Sequence, residues 1–130
     1  MKDRFRFRVW NGAEMHYNDF VVTATGYVGK ITEEFLGNCV FNQEDLTTDE
    51  ECVLMQSTGL KAKNGKLIYE GDIVKIFHVS GTMQGKYFFD VIEWNDLRCR
   101  FETKNYGIID DDDIYEVIGN IYENPELLKE

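Results

Sequence analysis

Asp110, Asp111, Asp112 and Asp113 form the densest run of chemistry-bearing side chains in this sequence. Carboxylates in that number can hold Ca²⁺ or Mg²⁺, but a calcium loop of the helix–loop–helix kind needs Gly at its sixth position and Glu at its twelfth. Counted from Asp110, those positions hold Tyr115 and Ile121. The run therefore reads as a solvated turn between two strands. His16 and His78 are the two histidines. Either can serve as a general base where folding brings an acid to it, yet neither has a second His or a Cys at ligand spacing. No Ser lies in a G-x-S-x-G nucleophile elbow. Cys39, Cys52 and Cys99 are odd in number and lack a C-x-x-C pair, so they read as reduced, small, buried hydrophobes rather than as metal ligands or a redox dithiol. No catalytic residue, metal or cofactor is expected.

The remaining chemistry is charge. Fourteen basic residues against 24 acidic ones leave a net charge of −10, a field that repels a phosphate backbone and argues against nucleic acid as a partner. Positive charge gathers in one place, at Lys2, Arg4, Arg6 and Arg8. With Trp10 nearby, this edge has the arginine and aromatic components that suit single-stranded nucleic acid. The bland reading is that these arginines pair with the chain's own acids. A second use of charge is mimicry: a compact acidic protein can imitate DNA phosphates and occupy the basic groove of a host enzyme. Between positions 33 and 51 lie Glu33, Glu34, Glu44, Asp45, Asp49, Glu50 and Glu51 with no base, the signature of a solvated segment.

The elements that must position these groups are short strands. Phe5, Phe7 and Val9 alternate with Arg4, Arg6 and Arg8, which predicts a half-buried strand with the arginines facing outward. Asn11-Gly12 ends it, and residues 15–22 pair back as a hairpin. Tyr27-Val28 and Cys39-Val40-Phe41 are candidate short strands. Thr48 and Glu51 have capping-box spacing, but no helix-length pattern follows, and residues 53–57 read as a turn into a strand. Asn64-Gly65 predicts a type I′ reversal. Residues 72–77 are the strongest strand by β-branched content, followed by strands at 86–94 and 96–102, the latter with Leu97, Cys99 and Phe101 on one face. Residues 114–122 close the sheet, and Asn124-Pro125 starts one terminal helical turn. Strands at roughly ten-residue spacing predict a small barrel or sandwich. No apolar run approaches the ~18–20 residues needed to span a bilayer, and Met1-Lys2-Asp3-Arg4 lacks a secretory signal's apolar core, so the expectation is a soluble cytoplasmic protein.

Three blocks then become familiar. Residues 53–74, V-L-M-Q-S-T-G-L-K-A-K-N-G-K-L-I-Y-E-G-D-I-V, the opening Phe7-Arg8-Val9-Trp10-Asn11, and residues 115–128, Y-E-V-I-G-N-I-Y-E-N-P-E-L-L, resemble the YopX family of phage and prophage proteins. Ala62 stands where that family often has an acidic residue. The resemblance implies a mainly β fold: an SH3-like barrel portion over residues 59–130, preceded by an N-terminal β segment and acidic surface region over 1–58, within one domain. It implies a bacterial host, and it carries no catalytic residues. The resulting expectation is a non-enzymatic protein-interaction module whose partner is a host or phage protein. Exposed strand edges make a homo-oligomer an option. Besides Arg4, Arg6 and Arg8, the candidate contact residues are Trp10, Tyr69, Asp72 and Trp94, large aromatics and their neighbours beside turns.

Overall fold

In a computed structural model of the 130-residue chain, the described residues are 5–18, 20–22, 24, 28–34, 38–47, 53–79, 81–109 and 113–128. They form a mainly β protein with a lone C-terminal 3₁₀ turn, Pro125–Leu128. The chain divides into two compact units, Phe7–Met55 and Met1–Arg6 with Gln56–Glu130.

In the first unit, β1 (Phe7–Trp10) and β2 (Met15–His16) form the expected hairpin, with Val9 opposite His16 and Trp10 opposite Met15. The Asn11 side chain closes its turn by accepting from the amides of Ala13 (2.9 Å) and Glu14 (2.7 Å). The expected second strand is split, because Tyr17 and Asn18 bend. After the bend, β3 (Phe20–Val22) pairs antiparallel with β4 (Val28–Glu34), which pairs with β5 (Asn38–Thr47). The last two strands are longer than the sequence pattern indicated. The candidate capping box at 48–51 lies outside the described residues, as do Arg4 and Asp110 to Asp112.

The second unit holds the half-barrel. β6 (Val53–Lys61) pairs with β7 (Leu67–Tyr69). A five-stranded antiparallel sheet runs in the order β11 (Gly107–Ile108), β10 (Arg100–Thr103), β9 (Tyr87–Asn95), β8 (Asp72–Phe77), β12 (Ile114–Asn120), and it curls into a half-barrel. The 63–66 reversal is not type I′. Only Gly65 has positive φ (+83°), and the Gly65 amide donates to Ala62 O (2.9 Å) while the Ala62 amide donates to Lys66 O (2.7 Å). That is a type I turn closed by a glycine bulge. Residues 96–99 are likewise a turn, not strand, and Leu97 is 96% exposed. Asn95 Oδ1 accepts from the amides of Leu97 (3.0 Å) and Arg98 (3.1 Å), and Cys99 takes φ +53°, which ends the extended chain.

Residues directly opposite on paired strands share a face. On β8, Val74 and Ile76 point inward and join Ile92, Tyr115, Ile68 and Ala62 in one buried cluster. Ile73 is also buried, so the strand whose inward face was ambiguous is covered on both sides at this level.

Candidate functional site

At one end, apolar side chains fill the inner face of the half-barrel; at the other it stays open. Trp94 on β9 lies opposite Phe101 on β10, with ring centroids 5.0 Å apart in an edge-to-face contact. Both are on the inner face, yet Trp94 is 42% exposed. They line a groove of about 680 Å³ with Phe5, Gln56, Thr58, Leu60, Cys99, Arg100 and Ile109. Gln56, Thr58 and Leu60, two residues apart, present one face of β6. The β6–β7 register shifts between Ser57 and Lys61, where Gly59 takes φ +81°. Thr58 is fixed in turn, its hydroxyl donating to Ile68 O at 2.8 Å. A second recess of about 350 Å³ continues past the shared Leu60 and Ile109 to Lys61, Lys63 and Asp113.

The rim carries more positive charge than a −10 chain would average. Its charged lining residues are Lys61, Lys63 and Arg100 against Asp113. Arg100 Nε donates to Glu102 at 2.9 Å, and Arg98 approaches the same carboxylate at 3.8 Å, so two guanidiniums share one acid. Hydrogen bonds from Asn95 and then Arg100 hold the Glu102 carboxyl below the usual carboxylate range.

Of the candidate contact residues named from sequence, Trp94 is the one among the described residues that lines this groove, and Cys99 lines it as well. Arg8 is buried at 1% exposure, not solvent-facing. Alternation puts Arg8 and Val9 on opposite faces of β1, and here both faces are covered, which a period-two pattern cannot foretell. Arg6 is exposed, Trp10 half-buried, and Arg4 lies outside the described residues. Tyr69 and Asp72 are buried, and Asp72 Oδ2 accepts from the Tyr69 amide at 2.7 Å. This carboxylate–amide contact spans the β7–β8 turn. Cys99 corrects the buried-thiol expectation, being exposed and free. The side chain of Cys39 and all of Cys52 lie outside the described residues.

Sequence reasoning missed two pairings that fold distant segments together. His78 Nδ1 lies 2.9 Å from Asp113, joining the end of β8 to the start of β12. Asp113 also lines the smaller recess, beside Lys61, Lys63 and Tyr115. The buried Asp90 accepts from the amides of Val91, Asn105 and Tyr106 and from the Asn105 side chain. Acidic residues inside a strand were the available signal for Asp90, but nothing local names its partners fifteen positions away. Among the described residues no three His, Cys, Asp or Glu side chains converge as a metal site. His16 Nε2 sits 2.9 Å from Asn11 Nδ2, a hairpin contact.

Comparison with known proteins gives the chain its kin. It is 30% identical over 145 aligned positions, covering 95% of both chains, to an uncharacterised SPbeta prophage-derived protein YopX of Bacillus subtilis (strain 168). The crystal structure of yopX from Bacillus subtilis superposes with a TM-score of 0.61 at 23% identity, covering 97% of this chain and 99% of that one. Protein EF1440 from Enterococcus faecalis gives a TM-score of 0.62 at 28% identity, covering 95% and 97%. Residues 6–129 match the family described as YopX protein. The matched span takes in the opening strand, the residue 53–74 block and the closing strand alike, and the chain belongs to the YopX family.

Proposed function

We propose that the protein is a non-enzymatic interaction module of the bacterial cytoplasm, whose groove at the open end of the half-barrel holds an extended peptide segment of a host or phage protein. The observation that carries this reading is the groove itself: Trp94 and Leu60 remain 42% and 38% exposed on a face that is otherwise packed. Concave apolar sites at barrel mouths are common ligand positions, and a large aromatic lining one is a favoured anchor. Charge selects the occupant. Lys61, Lys63 and Arg100 on the rim favour apolar side chains flanked by carboxylates and disfavour a basic segment. The burial of Arg8 takes support away from a nucleic-acid site on the N-terminal arginines.

The test is an array of short acidic–apolar peptides, each with a lysine-for-glutamate control. Binding is read from Trp94 fluorescence in a Trp10→Phe protein and from anisotropy of labelled peptide. Expected are saturable micromolar hits that weaken at least tenfold, about 1.4 kcal/mol, in a folded Trp94→Ala variant. Hits that bind Trp94→Ala and Leu60→Lys as well as the native protein, or an array with no saturable hit, would overturn the reading.

A further inference from the structure

The outer face of the half-barrel carries a second apolar surface, on the other side of the sheet from Trp94 and Phe101 and meeting the smaller recess at Ile114. Register places Ile114, Phe77 and Tyr87 in one cross-strand row and Glu116, Lys75 and Phe89 in the next. Direct opposition puts each row on a single face, and that face is not the one bearing Val74 and Ile76. Phe77 is 38% exposed, Tyr87 55%, Phe89 48% and Ile114 40%. Tyr87 and Phe89 meet edge to face at 5.8 Å, and Lys75 Nζ sits 4.4 Å from the Tyr87 ring centroid, so the rings are held in place rather than splayed at random. The following row, Ile73 and Val91, is covered.

Taking about 150–250 Å² per aromatic side chain, three half-exposed rings and an isoleucine leave roughly 300–400 Å² of contiguous apolar surface. A patch of that size is comparable to the largest apolar patch of a typical monomer, about 300–600 Å², which is often a functional surface. It also matches the apolar centre of a standard interface, which buries about 800 Å² per partner with a polar rim around it.

Electrostatics decides what covers it. Two copies of a −10 chain repel over most of their surface. The two described charges within these rows are Lys75 and Glu116, one of each sign and side by side in register. The rows themselves therefore carry no net charge to oppose a second copy, and a two-fold axis through the patch would set Lys75 of each copy against Glu116 of the other. A polyanion would meet one cation, too few for phosphate-driven binding. We infer that the outer face built from Phe77, Tyr87, Phe89 and Ile114 is a homodimer surface, closed by reciprocal Lys75–Glu116 contacts. The inference is independent of the peptide groove.

Sedimentation velocity of the full chain, from low micromolar to near-millimolar concentration, tests it. The native protein should pass from monomer to dimer with rising concentration. A Tyr87→Ser, Phe89→Ser variant, folded by circular dichroism, should shift that transition at least tenfold upward. Lys75→Glu should weaken the dimer, and Lys75→Glu with Glu116→Lys should restore it, a rescue that a purely structural role would not give. A native protein that stays monomeric throughout overturns the inference. So does a dimer indifferent to these substitutions, or a monomer that binds a single-stranded oligonucleotide through Tyr87 and Phe89.

Discussion

Two acids on the β9–β10 pair show how one side chain can hold several strands. Asp90 is 1% exposed and accepts four hydrogen bonds, three of them from the turn after β10. Removing the acceptor takes a partner from the buried Val91 amide and from three donors of a part-buried turn, and a buried donor left unpaired costs about 1–3 kcal/mol. Asp90→Ala should lower stability by about 2–4 kcal/mol in urea unfolding, with amide exchange at Asn105 and Tyr106 rising first. An unchanged midpoint would show that water replaces the carboxylate. Glu102 acts through its charge. Its carboxyl is held below the ordinary range by Asn95 and Arg100, so the folded state is favoured when the group is ionised. That stabilisation is present above the unfolded value of about 4.3 and is lost as pH falls through the folded value. Native protein should lose stability on acidification through this window, and Glu102→Gln should lose less, measured as thermal midpoints against pH. Parallel curves for the two proteins would remove the pair from the acid response.

Among the elements, the turns set the geometry that the strands only extend. Cys99 holds φ +53° in the β9–β10 turn, a conformation that costs a residue with a Cβ about 1–2 kcal/mol. Cys99→Gly should relieve most of this, offset in part by the greater entropy of glycine in the unfolded chain. The expected result is a thermal midpoint equal to or above that of the native protein, whereas Cys99→Val should lower it. At the closing turn, a Cβ on Gly119 would lie 2.6 Å from Asn124 Oδ1, which accepts from the Asn120 amide. Gly119→Ala must displace that side chain and give up its hydrogen bond, so a loss of about 1–2 kcal/mol is expected in denaturant unfolding. A neutral result would mean that the terminal turn, with no residue buried, contributes nothing to the closing strand.

For the molecule as a whole, stability and association draw on opposite features. The half-barrel rests on a small cluster in which Ile92 and Val74 are fully buried. Ile92→Ala should cost about 2–5 kcal/mol because the curled sheet closes poorly over a cavity. Association instead works against the net charge of −10. Raising ionic strength from about 0.01 to 0.15 M shortens the screening length from about 30 to 8 Å. The dimer transition should therefore move to lower concentration as salt is added, while an acidic peptide in the groove should bind more weakly. Opposite salt slopes from one protein would separate the two surfaces. Equal slopes would mean that charge does not discriminate between them.

Much of this architecture was legible in residue order. The β-branched content of 72–77, the apolar and aromatic run at 86–94, the position of the Asn-Gly reversal and the Asn-Pro terminus are local physics, since strand propensity, turn sites and caps depend on residues a few positions apart. The family was legible as well, because its blocks carry those same turns and strands. Burial was not. Whether Arg8 meets solvent, whether Leu97 lies in a strand or caps out of one, and whether Trp94 packs or stays open all depend on which distant segments curl over which face. Asp90 and Asp113 became partners to groups fifteen and thirty-five positions away only through that curl. Sequence alternation defines two faces for every strand; only the tertiary fold determines how far each is covered, because burial is a sum over non-local neighbours.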